Sequence, residues 1–424
     1  MLTTRALRFA FLLLLWCWPT DRVLAQPRTT DQIIQLYQSH AAKSPRDIQT
    51  YNKLGVAYIQ KARETGDFRY YDLAEQALQH SLELGPDPVA AGTATSGLAL
   101  VSLGRHQFRA AVSQAEKALA YGPTPPVYAI VGDAYVEMGE YEKASGAYSK
   151  MLAAPGSHPE SRLWYLQFLR GDPEGAIQEV QRTIKALTAT DLPRGNVAWT
   201  QVQLGDLFFQ VGDIGKSEKA YRDALLSFPG YHLALAGLAR VQAAQKRYQD
   251  AVKLYEQALA VIPLPEYVVG LGDVYTKMGR PQEAKRQYDL VQYIGTLNSI
   301  PHTRAVYNRE LALFFADHDL KLRETLERAE RELDVRWDIF SYDLLAWALY
   351  KNGKLQDARS AMTEALKLGT KDARLFFHAG MIHRALGDRD KAREYLQRAL
   401  ATNSSFHLLQ VEVAERTLKE LGQE

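Results

Sequence analysis

The chain has 424 residues, 51 of them basic and 49 acidic, and 46% are hydrophobic. So even a balance gives no global electrostatic footprint for nucleic acid or an anionic membrane. Cys17 is the only cysteine, so a disulfide framework is excluded.

At the N-terminus, Arg5 and Arg8 precede an apolar run from Phe9 to Trp18, and Val23-Leu24-Ala25 offers small residues before a cut ahead of Gln26. That is the pattern of a secretory signal peptide over residues 1–25. Pro19 ends the run short of the ~20 residues a spanning helix needs; an uncleaved anchor is the competing reading, and no other segment is suited to span. Trp16 stands before Cys17, where lipoprotein processing resembles a demand for Gly, Ala or Ser, which argues against lipidation. Cleavage removes Arg5, Arg8, Arg22 and Asp21 and leaves 48 basic and 48 acidic residues with no cysteine. The mature chain is therefore expected in periplasm or medium, without an integral membrane segment and held by packing alone.

Residues 26–50 read as a leading helix. From there a phrase recurs about every 33 to 34 residues: Tyr51, Leu54-Gly55, Tyr58; Tyr128, Val131-Gly132, Tyr135; Leu204-Gly205, Phe208; Val268, Leu271-Gly272, Tyr275; Phe376, Ala379-Gly380, His383. A second phrase answers it: Ala111, Ala115, Ala118, Pro123; Ser217, Tyr221, Ala224, Pro229; Ala251, Tyr255, Ala258, Pro263. Steps of three and four place these residues on one helix face, so each unit is two amphipathic helices joined by a turn. The small residue belongs where two helices approach closely, with an aromatic filling the gap beside it. Gly139, Gly212, Gly279, Gly353 and Gly387 fall just past first helices, where a left-handed residue is needed, and Pro86, Pro123, Pro229 and Pro263 stop second helices.

The phrases resemble the tetratricopeptide repeat, a 34-residue helix-turn-helix unit, here of an exported bacterial type. The resemblance implies an all-α, right-handed superhelical solenoid in which each repeat touches only its neighbours. About ten units are expected, over 51–294 and 304–405. The first carries about seven extra residues between Ala62 and Tyr70. The array is degenerate around 156–196, with Ala176, Val180 and Thr183 the best match to a second helix, and is broken at 295–303. Leu311-Ala312, Phe315, Leu326 and Ala329 mark the unit that follows, and 406–424 form a capping helix.

Catalytic motifs fail. Gly215-Lys216-Ser217 has Gln210 where a phosphate loop needs glycine, Tyr275 stands where a dinucleotide fingerprint after Gly270-Leu271-Gly272 needs its third glycine, and no metalloprotease or hydrolase signature occurs. His378 and His383 are badly placed around a helix to share a metal, and Asp317-His318-Asp319 reads as a solvated turn. Asn403-Ser404-Ser405 matches a glycosylation acceptor. No catalytic residue, metal or cofactor is expected.

The resemblance implies that first helices line an inner groove used for peptide or protein partners. The faces opposite the Leu-Gly stripe carry Trp199, Val202, Asp206 and Phe209, then Phe340, Asp343, Trp347 and Tyr350, then Arg374, Phe377, Met381 and Arg384. Asp recurs after Gly at Asp133, Asp206 and Asp273, where helix packing competes with ligand binding as its purpose. The expectation is an exported scaffold binding a peptide or protein through these aromatics, with Asp206 and Asp343 orienting basic or amide groups. An obligate subunit of an envelope or secretion complex, or a binder of carbohydrate or cell-wall fragments, are the alternatives.

Overall fold

The computed structural model describes residues 29–154, 162–189, 194–297 and 308–423. The expected signal peptide, and parts of the two irregular stretches, lie outside them. The described residues form 22 helices and no strand. A leading helix α1 (Thr30–Lys43) precedes ten two-helix units. The first five are α2/α3 (Ile48–Thr65, Arg69–Glu83), α4/α5 (Pro88–Gly104, Phe108–Leu119), α6/α7 (Pro125–Glu137, Tyr141–Ala153), α8/α9 (Leu163–Leu169, Pro173–Thr188) and α10/α11 (Arg194–Gln210, Ile214–Ser227). The next are α12/α13 (His232–Ala244, Tyr248–Val261), α14/α15 (Pro265–Lys277, Pro281–Leu297), α16/α17 (Asn308–Asp317, Leu322–Val335), α18/α19 (Ile339–Lys351, Leu355–Ala365) and α20/α21 (Ala373–Ala385, Arg389–Thr402). A last helix α22 (Gln410–Gln423) begins four residues later than the capping helix expected at 406.

Local chemistry fixes these limits. Asp87, Asp213, Asp338, Asp372 and Asp388 cap helix N-termini by accepting backbone N–H bonds, which satisfies donors the helix leaves open. Gly139, Gly212, Gly279, Gly353 and Gly387 all have positive φ between the paired helices, as their sequence position predicts. In three units a non-glycine takes that conformation, His106, Lys246 and Asp319, and these turns lack the glycine signal. The extra residues of the first unit lengthen α2 to Thr65, where Gly66 closes it. In the degenerate unit α9 buries Ala176, Val180 and Thr183 as expected, while its partner α8 is cut to 7 residues.

The repeat core has an explicit geometry. Tyr221 lies flat between two glycines: a Cβ on Gly205 would come within 2.6 Å of its ring and one on Gly237 within 2.3 Å. The same seat holds Tyr148 over Gly132 and Tyr288 over Gly272. In each case the tyrosine hydroxyl donates to the aspartate following the glycine, Asp133 at 2.8 Å, Asp206 at 2.7 Å and Asp273 at 2.8 Å. The unit with Met381 after Gly380 puts Leu396, with no hydroxyl, in the tyrosine's place. In these three units Asp and Tyr form a lock between the two helices, whereas Tyr255 has Arg240 in the aspartate's place.

Contacts are not confined to neighbours. Tyr141 Oη accepts from the Ile339 N–H at 3.0 Å, Arg336 donates to Glu137 at 2.9 Å, the Asn403 amide donates to Phe209 O at 2.7 Å, and the Thr370 hydroxyl donates to Leu169 O. These partners are 194 to 201 residues apart. Turn glycines make the same seams: a Cβ would lie 2.5 Å from Trp337 O at Gly139, 2.5 Å from Gly369 O at Gly171 and 3.1 Å from Thr402 O at Gly212. The turn of each of these units rests on the loop that follows the fifth unit after it, and Gly66 rests likewise against Ile262. One superhelical turn stacks on the previous one, which corrects the expectation of purely nearest-neighbour contact. Asn403, at 2% exposure and bonded across a seam, has no room for a glycan.

Candidate functional site

The stacked array encloses a cavity of about 780 Å³. Its walls come from the first helices α10, α12, α14, α16 and α18, with residues at the start of α20, so the inward face belongs to first helices as the repeat pattern implies. The segment from Ser404 to Glu415, including the first residues of α22, closes one side. It is pinned by the ion pair of Lys277 with Glu412 and by the Gln410 amide donating to Asp317 at 2.7 Å.

Of the residues expected on the inner faces, Val202, Asp206, Phe209, Asp273, Phe340, Asp343 and Arg374 line this cavity. The others do not. Trp199 is exposed at the start of α10 with the Arg162 guanidinium 5.9 Å from its ring, and Arg384 pairs on the surface with Glu420 of α22. Trp347 is only 3% exposed, stacked on His378 at 4.1 Å and Tyr350 at 4.8 Å, with its indole N–H donating to Asp317 at 2.8 Å. Phe377 is buried against Phe406 at 5.5 Å. Trp347 and Phe377 of the aromatic wall expected in the C-terminal units are therefore core, while Phe340 faces the cavity. The chain after α21 folds back over the two core rings, and helical spacing within one unit cannot reveal a cover supplied from outside the repeat.

The aspartates are likewise engaged within the fold. Asp206 takes a hydrogen bond from Arg240 at 2.6 Å besides that from Tyr221, and Arg240 also donates to the Tyr221 hydroxyl at 2.7 Å while lying 4.2 Å from the Phe209 ring. Asp273 bonds His318 Nε2 at 2.9 Å, and Asp343 bonds His378 Nδ1 at 2.8 Å. Asp317 and His318 are thus structural contacts and not part of a solvated turn, whereas Asp319 stands exposed in the turn as expected and pairs with Lys351 at 2.7 Å. The Ser217 hydroxyl of the discarded phosphate-loop look-alike is buried and donates to Gly205 O at 2.8 Å.

Carboxylates dominate the lining, nine against five basic side chains, although the whole chain is balanced. Three of them are pushed above the ordinary carboxylate range. Glu266, whose side chain opens into the cavity, rises to about 7 through desolvation by the protein around that cavity and then through the charge of Glu310. Burial also raises Glu310 and Asp372, the latter with help from Asp343. The sequence reading missed Arg240, Glu266 and Glu310. Arg240 was open to discovery, since it lies 34 positions after Asp206, one repeat on. Glu266 and Glu310 hold different places in their units, so no repeat alignment pairs them.

A profile of the tetratricopeptide repeat family matches residues 202–264 and 344–406. The chain carries tetratricopeptide repeats in those stretches. It is 24% identical over 215 residues to the CTR9 homolog of Arabidopsis thaliana, covering 49% of this chain and 19% of that protein. It is 25% identical over 221 residues to the human protein O-mannosyl-transferase TMTC1, covering 50% and 24%. The chain thus spans about a fifth to a quarter of the length of these curated relatives. Among solved structures, yeast Tom70 aligns over 92% of both chains at 14% identity and a TM-score of 0.42. A tetratricopeptide repeat protein of Parabacteroides merdae aligns over 62% of this chain and 96% of that one, at 17% identity and 0.35.

Proposed function

We propose that this tetratricopeptide repeat protein is an exported scaffold that takes a polypeptide segment of a partner into its inner cavity. The observation that carries the reading is the cavity of about 780 Å³ on the first-helix face, within the 300 to 1,000 Å³ range of ligand sites. Its wall alternates apolar residues such as Val202, Leu233 and Phe314 with charged ones, as an extended peptide with both kinds of side chain requires. Export rests on the leader pattern at Arg5, Arg8 and Ala25, and no described helix is long and apolar enough to cross a membrane.

A photo-crosslinking residue at Leu313, in the cavity, and one at Leu226, exposed outside it, test the reading in the native host. Adducts to a partner are expected from position 313 alone. Adducts from position 226 alone, or none, would contradict it. Sequencing the N-terminus of the native protein tests export separately: a start at Gln26 is expected, and a retained Met1 in the membrane pellet overturns it.

A further inference from the structure

The charges around the cavity are unevenly satisfied. Its basic residues are largely committed: Arg240 to Asp206, Lys277 to Glu412, and Arg309 to Asp338 with Glu332 nearby. Glu266 on α14 and Glu310 on α16 are not. They come from first helices of successive units and repel each other across the cavity wall. Among the described residues no cation acts on Glu266; Glu310 feels the charges of Arg309 and Arg336, but its Oε2 is shut off from solvent with no hydrogen-bond partner among those residues. A buried carboxylate oxygen without a partner costs stability, and a rotation of the Glu310 carboxylate that presents this oxygen to a donor arriving with the ligand removes the cost.

We propose that the partner segment is cationic and places a lysine or arginine side chain between Glu266 and Glu310. The proposal rests on the cavity being the binding site. A positive group there donates charge-assisted hydrogen bonds to both carboxylates and cancels the repulsion between them. Arg374 and Lys246 at other points of the lining discourage a wholly basic stretch, so the fit is to a mixed segment with its cation in register with α14 and α16. The apolar lining at Leu313 and Phe314 then receives flanking hydrophobic side chains, which a small polyamine lacks.

The test uses the whole chain and three pools of short mixed-sequence peptides, matched in length and apolar content and made lysine-containing, uncharged or glutamate-containing. Fluorescence anisotropy should show the lysine pool binding about tenfold or more tighter than the uncharged pool, with the glutamate pool weakest. Glu266→Gln with Glu310→Gln should bring the lysine pool down to the uncharged one and leave the latter unchanged. Equal binding of all pools, or a variant without effect, overturns the cationic assignment while the cavity reading stands. Absence of binding by every pool brings down both. Spermine competing as well as the lysine pool overturns the polypeptide class. If the double variant melts early, Glu266→Gln alone, at an exposed side chain, must still weaken the lysine pool selectively.

Discussion

Gly237→Ala isolates the tyrosine seat. An added Cβ would lie 2.3 Å from Tyr221 Cε1, more than 1 Å inside the ~3.5 to 4.0 Å of ordinary carbon contact. The ring has nowhere to go, because Gly205 backs its other face and Asp206 and Arg240 hold the hydroxyl. Overpacking costs about 1 to 3 kcal/mol, whereas replacing Gly by Ala inside a helix gains about 0.8 to 1.0 kcal/mol. A net loss of roughly 0 to 2 kcal/mol is expected from these two effects, against a net gain at an open helical glycine. Gly146→Ala is the control, since that glycine lies in α7 with nothing near a new Cβ, and it should stabilise by about 0.5 to 1 kcal/mol. In a Tyr221→Ala background Gly237→Ala should change sign and become stabilising. Urea unfolding followed by circular dichroism gives the energies, and hydrogen exchange across α11 and α12 shows whether the loss begins there. Gly237→Ala equally destabilising with and without the Tyr221 ring would refute the seat.

Arg336→Ala removes one of the two guanidiniums beside Glu332, 3% exposed, leaving it Arg309 at 3.7 Å and the Asn308 amide at 2.8 Å, and should cost about 3 kcal/mol, the low end for a broken buried pair; because Arg336 also reaches Glu137, amide exchange should rise in α6 and α17 together. Glu218 is pushed up by burial but held down to about 2 by hydrogen bonds from Arg222, Gln245 and Arg247. Its contribution is present above about pH 4.5 and lost as pH falls toward 2, so the acid limb of a stability profile should flatten in Glu218→Gln. Glu266 has the opposite sign: with its folded value near 7, the folded state holds the extra proton and stability falls as pH rises from about 4.5 to about 7. Glu266→Gln should gain on the parent across that window in melting experiments, and a constant difference would count against the raised value.

The repeat fold was legible because its determinants are local and periodic. Gly132, Gly205 and Gly272 and the small residues Ala251 and Ala258 announce close approach, and the structure buries Ala251 and Ala258 completely. The tyrosine lock was half visible. Asp133, Asp206 and Asp273 stood out, but their partners Tyr148, Tyr221 and Tyr288 lie 15 positions on in the second helix, beyond the window that helical spacing inspects. Trp347 and Phe377 were misplaced for a different reason. Their cover, Phe406 and the start of α22, follows the last repeat, so nothing in their own units distinguishes an inner wall from a buried seam. The cavity's acidic balance is non-local too, since it joins side chains from Asp206 to Glu415.

The seating of Gly139, Gly171 and Gly212 on loops five units further along bears on how the array tolerates changes in length. An open spring of repeats accepts an added or deleted unit anywhere, since each new neighbour resembles the last. Here, an extra unit between Gly171 and Gly369 would advance the second turn by one step beneath the first and present helix ends where the glycines now meet loop carbonyls. Duplication should be tolerated only outside the overlapped stretch, or in amounts that restore the phase. The number of repeats in one coil is thereby a fixed quantity of this fold, counted by its glycines.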